Sequence, residues 1–578
     1  MDKQTLKQLI DVAAGRAPAD LRIKNCQIID VFNKSTFSGD VLVTRGLIAG
    51  YGGQGFPEAK ETYDAKGAYV APGFIDSHVH IESSHLSPAE FSRLIVPHGT
   101  TTVVADPHEI CNVCGLEGFD YMLKASEHIA LQVFLQVPSC VPCTPFENAG
   151  AILNAPEIAQ RIGEDRVLGL GELMNFVGTI SADGEILNKL LEADRCHKLV
   201  DGHSPGLAGS ALDAYAASGV RTDHECATPK ELRDRTRRGI YVLLRQGTAC
   251  HDVLNLLPGV DASNDRFCLF CTDDRQSASL IEEGHIDNNI RLAVKAGLNP
   301  ITAICMATVN AAACYDLRDR GSVTPGRRAD LILFDDLKDL RVREVWVGGQ
   351  HVAQDGKYLA QDLHVEPENV SGRMHVKNFS AQRLALPLKK SRVRTIRIIP
   401  GSVVTEQGTA EVNLDEKGCW VRSGRDIVKI AVVERHTGTG NIGIGLLDGY
   451  GLKNGAVATS VAHDSHNIIV AGDNDRDMAI AVERLIEMGG GMALVKDGKL
   501  LDSLEHEIAG LMTDKPGEYV AQRIAELDET AFRELGIHRD VDPFMTLCFM
   551  ALPVIPRLKI TDTGLFDVNA FHTVPPEL

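Results

Sequence analysis

The chain lacks any apolar run near the ~18 residues that span a bilayer, so no membrane protein is expected. Its opening stretch, MDKQTLKQLIDVAAGRAPADL, is amphipathic but has no apolar centre of the signal-peptide kind. Positive charge is in deficit: 59 Lys and Arg face 78 Asp and Glu, a net charge of −19. Such a surface repels phosphate backbones, which argues against nucleic acid as a partner. Repeats with a period of about 20–50 residues are also missing. Without an export signal, the 14 cysteines are expected as reduced thiols in a cytoplasm. What remains is globular. Hydrophobic residues make up 44% and charged residues 24%, which excludes a disordered or fibrous chain. The 578 residues allow about three or four domains.

Four segments emerge along the chain. Residues 1–65 read as short strands broken by Gly, Asn and Asp, and residues 318–370 repeat that style. Both flanks are therefore expected to close one small β-sandwich. Between them, over residues 66–317, eight apolar runs alternate with helix-like stretches. The expected strands are Tyr69–Ile75, Thr101–Ala105, Ala130–Val137, Arg166–Gly171, His197–Asp201, Val220–Thr222, Gly239–Leu244 and Phe267–Cys271. Continuous apolar runs fit a parallel sheet buried on both faces. Helices are signalled by SPAEFSRLIVPHG and TPKELRDRTRRG, which open on Ser-Pro and Thr-Pro. Eight such units over about 250 residues fit an α/β fold of the TIM-like (β/α)8 type. Residues 371–578 read as a separate α+β domain, with one β-α-β stretch in NIIVAGDNDRDMAIAVERLIEMGGGMALVKDG.

In such a barrel, chemistry sits at the C-terminal ends of the strands. His78 and His80 fall at the end of the first, Glu172 at the fourth, His203 at the fifth, His224 at the sixth and Asp273 at the eighth. The His-x-His triplet alone carries no weight. With 20 His in 578 residues, chance supplies about 0.7 of them. The joint placement at five strand ends carries the signal. Period-two alternation puts both imidazoles of His-x-His on one face. Imidazole and carboxylate suit Zn, Mn and Fe(II). Glu172, placed centrally, is expected to bridge two ions, with His203 and His224 holding the second. Asp273 is expected to bind the first ion and take a proton from its water.

Other signals point nowhere firm. Three Cys-x-x-Cys pairs occur, but Cys268 and Cys271 lie on an expected strand and face opposite sides of it. GTGNIG, at residues 438–443, matches a dinucleotide fingerprint without the helix that should follow, so a Gly-rich turn is expected. His463, Asp464 and His466 are denser than chance. Metal binding, closure over the active site and plain packing all remain open for them.

APGFIDSHVH, the later His, His and Asp, and the closing TPGRRADLILFD resemble the amidohydrolase superfamily. Within it, HIESSHLSP, DPHEI, TDHE, CTDDR with EGHIDNNIR, and VAHDSHNIIVAG resemble the bacterial adenine deaminase family over nearly the whole chain. The resemblance implies hydrolytic deamination of adenine to hypoxanthine and ammonia, as in purine salvage. It implies two divalent ions, Mn(II) first, with Fe(II) or Zn(II) also allowed by the ligands. A homo-oligomer is implied as well. Catalysis falls to Asp273 and Glu172. A further acid must meet the purine ring nitrogens, and Glu82, Asp106, His108, Glu109 and His285 are the expected substrate contacts. Where many relatives carry a carboxylated Lys, this chain has Glu172, which counts against the runner-up, a dihydroorotase-like or hydantoinase-like cleavage of a cyclic amide. A barrel serving only as a scaffold would lack several ligands, and all six are here.

Overall fold

The computed structural model describes residues 1–53 and 55–578. Strands from both flanks join one nine-stranded sheet. The join is the antiparallel pairing of Tyr69–Pro72 with Leu331–Phe334. The sheet curls on itself. The Tyr63 ring packs edge-on against Trp346 with centroids 5.2 Å apart, and Ile48 N donates to Arg327 O at 2.8 Å. The sandwich is thus one bent sheet closed over an apolar core that includes Ile23, Ile28, Val43, Ile48, Val70 and Leu331.

The first barrel strand differs from the sequence expectation. Tyr69–Pro72 belongs to the flanking sheet, and the barrel strand is Phe74–His80. The break falls at Gly73, where a Cβ would lie 2.2 Å from Thr101 Oγ1. Only glycine lets the backbone pass that close to the second strand. His78 and His80 consequently lie inside the strand, at its end, instead of following it.

The other barrel strands are Thr100–Ala105, Gln132–Val137, Val167–Leu173, Leu199–Gly202, Thr222–Asp223, Tyr241–Arg245 and Cys268–Cys271. Strands one to five pair in parallel sequence, as do six to eight. The gap between five and six is closed by Arg221 N donating to Val200 O at 2.9 Å. The gap between eight and one is closed by Asp273–Asp274, which pairs with Val79 and His80. Ile75, Val104, Leu243, Leu269 and Cys271 share one core cluster, while Cys268 joins the one that lies outside it, so the two cysteines do face opposite ways. The expected helix starts are capped: Thr228 and Glu231 form a reciprocal capping box before Pro229–Thr236. Among the described residues, no helix is long and apolar enough to cross a membrane.

The C-terminal region is built on an eight-stranded sheet. Its β-α-β stretch is Ile468–Gly472, helix Asp475–Glu487 and Gly491–Lys496, with the antiparallel strand Ala456–Thr459 inserted between the two outer strands. GTGNIG forms a turn, with Gly438 and Gly440 at positive φ, and runs into strand Ile442–Asp448. This region packs against the open end of the barrel: Ser87 N donates to Thr513 O at 2.9 Å and Asn467 Nδ2 to Asn148 O at 2.7 Å.

Candidate active site

The six side chains read from the strand ends meet around Glu172. His78 Nε2 lies 3.2 Å from His80 Nε2, and His80 Nε2 lies 3.1 Å from Asp273 Oδ1 and 3.4 Å from Glu172 Oε1. On the other side of the same carboxylate, His203 Nδ1 is 2.9 Å and His224 Nε2 3.2 Å from Glu172 Oε2. The His78 and His224 rings stack at 4.1 Å, so the two halves adjoin.

Chain-distant elements aim these groups. His80 Nδ1 faces the Asp106 carbonyl at 2.9 Å, which places the proton on Nδ1 and the lone pair on Nε2, inward. Asp106 Oδ2 accepts from Glu172 N at 2.9 Å, and Gly171 has no Cβ because one would meet that carboxylate at 2.3 Å. Asp273 sits at φ +60°, a left-handed conformation that breaks the strand after Cys271. Arg245 Nη1 holds its other oxygen at 2.8 Å.

Burial would raise the Glu172 carboxyl, but the hydrogen bonds of His203 and His224 hold it well below the usual carboxylate range. The same balance holds for Asp273. Burial opposes ionisation, while His80 and Arg245 keep the group charged. Two ligands about 2.1 Å from one ion at roughly right angles are about 3 Å apart. The donor separations of 2.9–3.4 Å around Glu172 match that spacing. The donor set, imidazole nitrogens with carboxylate oxygens, fits a divalent transition metal.

Of the five further expectations, His108 and Glu109 line the cavity above this cluster. His108 Nδ1 is 3.3 Å from Glu172 Oε1 and its Nε2 3.8 Å from Asp464 Oδ1. The other three, Glu82, Asp106 and His285, are not among the residues lining this cavity. Asp106 is spent on Glu172 N. Glu82 points back to Ile110 N at 3.3 Å, and burial followed by its neighbour Glu109 pushes its carboxyl up to about 7. His285 lies a layer below, between Thr100 Oγ1 at 2.8 Å and Asp76 Oδ2 at 3.2 Å. Thr100 opens its strand, so that contact is at the far end from the ligands.

Several cavity residues carried no sequence signal. Asp274 and Glu225 directly follow Asp273 and His224 in the chain, and Arg245 lies at the end of an apolar strand. The opposite wall comes from the C-terminal region: Val403, Phe549, Leu552, Val554 and Ile555, with His463 and Asp464. Buried Lys559 braces this wall by donating to Val403 O at 2.8 Å and Phe549 O at 2.9 Å. His466 does not line the cavity; it packs behind it, 3.8 Å from Glu109.

A (β/α)8 barrel with such a cluster at one end defines a metal-dependent hydrolase of the amidohydrolase type. Residues 69–352 match the amidohydrolase family and residues 402–572 the adenine deaminase C-terminal domain. The chain is 50% identical to adenine deaminase 2 of Desulfotalea psychrophila over 578 residues, covering 100% of both. It is 50% identical to the adenine deaminase of Nitratidesulfovibrio vulgaris, covering 98% of both, and 47% identical to that of Ligilactobacillus salivarius, covering 99% of both. The chain belongs to the adenine deaminase family.

Proposed function

We propose that this protein hydrolyses adenine to hypoxanthine and ammonia, using two divalent ions held by the cluster at the barrel mouth. The observation that carries this reading is the placement of three imidazole nitrogens, of His80, His203 and His224, within 3.4 Å of the two oxygens of Glu172. His78, His80 and Asp273 would hold one ion and His203 and His224 the other, with Glu172 between them. When bound there, such ions would lower the pKa of water to near 7 and so make it a nucleophile for C6 of the purine at neutral pH. Mn(II) is the proposed native metal, with Fe(II) and Zn(II) compatible with the same donors.

The chain's own groups do the rest. Asp273, kept ionised by Arg245, accepts the proton of the attacking water and passes it to the departing amino group. His108, on the cavity wall beside Glu172, donates to a ring nitrogen as charge builds there. The lid made by the C-terminal region excludes bulk water and so strengthens each of these interactions. Glu172 stands where other binuclear relatives would need a carboxylated Lys, so the site is complete in its encoded side chains.

The test is ammonia release from adenine, adenosine and cytosine after reconstitution with Mn, Fe or Zn. Turnover confined to adenine supports the assignment. Turnover of a cyclic amide with none of adenine contradicts it.

A further inference from the structure

The turn VAHDSHN, residues 461–467, lies between strands Ala456–Thr459 and Ile468–Gly472 of the C-terminal sheet and reaches into the barrel mouth. Glu109, His463 and His466 bring three potential ligand atoms within 4.8 Å of one another, which resembles a further cation site. The hydrogen bonds say otherwise. His466 Nδ1 accepts from Ala462 N at 3.1 Å, so in the neutral ring the proton sits on Nε2. That nitrogen lies 3.8 Å from Glu109 Oε2, beyond hydrogen-bond reach, and in this tautomer has no lone pair for an ion.

The Glu109 carboxyl instead biases the tautomer of His463. Glu109 Oε1 lies 2.9 Å from Ser83 Oγ, which also reaches Asp274 Oδ1 at 2.5 Å, and Glu109 Oε2 has no hydrogen-bond partner. His463 Nδ1 lies 3.4 Å from Oε1, so the neighbouring carboxyl group favours the tautomer with its proton on Nδ1. The lone pair of His463 is then on Nε2. The ring lines the cavity, 7% exposed, stacked on Phe549 at 4.8 Å with 28° between planes. The site thus offers a hydrogen-bond acceptor on the wall facing the metal ligands.

We propose that His463 Nε2 accepts the N–H of the five-membered ring of a free purine base, and that this contact selects the base over its nucleosides. The proposal rests on the deaminase reading above and adds its specificity element. Free adenine carries an N–H on its imidazole ring, at N9 or N7. A nucleoside carries none. It would present His463 with another lone pair or with the sugar. A site built to bind an N–H rejects an analogue lacking it by about 10⁴–10⁵-fold in favourable cases. Glu109 is the positioning residue in this scheme.

The test compares adenine with 9-methyladenine, as substrate or as competitive inhibitor, in the wild type, His463→Ala and His463→Gln. Metal content per chain is measured alongside. The wild type should favour adenine by about 10³-fold or more. His463→Ala should lose about 10²-fold in kcat/KM for adenine, leave 9-methyladenine unchanged or improved, and keep its metal. His463→Gln retains an acceptor oxygen and should recover part of the preference. Equal losses on both ligands, or an unchanged preference in His463→Ala, would overturn the assignment. Should His463→Ala fail to fold, a His463→Gln variant with no residual preference would overturn it as well. A metal-loaded wild type inert toward adenine would instead bring down the deaminase reading itself.

Discussion

The cluster of His78, His80, Glu172, His203, His224 and Asp273 lies on the barrel side of the cavity, whereas five apolar side chains, Val403, Phe549, Leu552, Val554 and Ile555, line its C-terminal wall. The barrel groups come from ends of parallel strands, are aimed by backbone and carboxylate partners, and sit close enough to share ions. The C-terminal groups come from Val403 and from residues 549–555, a helix end and the loop after it, and two of their carbonyls are held by one buried side chain, Lys559. The difference separates two tasks. The barrel supplies charge and reactivity; the C-terminal region supplies shape, dryness and, through His463, recognition.

Substitutions on the two walls should therefore fail in different ways. Glu172→Ala removes the shared carboxylate and should abolish metal binding and cut kcat/KM by about 10⁴-fold or more, read by metal analysis and ammonia release. Metal retained at the wild-type level in that variant would break the division of labour. Asp273→Asn should cost about 10²–10⁴-fold in kcat, the range for a lost general acid–base group. Asp106→Ala leaves every ligand in place but frees Glu172 N. Its expected effect is a metal affinity weakened about 10–100-fold, measured by chelator competition, with kcat largely recovered at saturating metal.

On the opposite wall the losses should be smaller and metal-independent. Lys559→Met lets the Val403 and Phe549 carbonyls drift and is expected to lower kcat/KM about 10-fold with full metal content. A loss of metal instead would show that the C-terminal wall supports the ions too. The smallest effect is one of stability. Asp528 lies with Asp542 in the cavity just outside Phe549, and burial, then the neighbouring carboxylate, pushes its carboxyl up to about 8. Between about pH 4 and pH 8 the folded chain holds a proton that the unfolded chain has released, so stability falls as pH rises through that window. Asp528→Asn should raise the melting temperature at pH 8 by about 2–4 °C and change little at pH 4, as followed by thermal scans.

The same two walls differ in how far they can be read from sequence. His78, His80, Glu172, His203, His224 and Asp273 were readable because a barrel strand ends where its apolar run ends, and chemistry follows that end. The depth of each neighbour was not. Glu82, Asp106 and His285 differ from His108 and Glu109 only in which way a turn carries them. That is decided by partners such as Ile110 N, Glu172 N and Asp76, far away in the chain. The first strand was misplaced because Tyr69–Pro72 and Phe74–His80 form one apolar run, and only the close pass of Gly73 against Thr101 divides it. Phe549, Leu552, Val554 and Ile555 are ordinary core residues in one dimension. They become a cavity wall only when the C-terminal region docks on the barrel. His463 stood out by density alone, and its role needed the neighbouring Glu109 carboxyl group, distant in the chain, to define it.

Diffraction from crystals of the manganese-loaded protein, recorded at the metal absorption edge, locates the ions relative to Glu172. Two anomalous peaks per chain are expected on either side of the Glu172 carboxylate, one beside His78, His80 and Asp273 and one beside His203 and His224. A single peak, or density remote from Glu172, would contradict that arrangement.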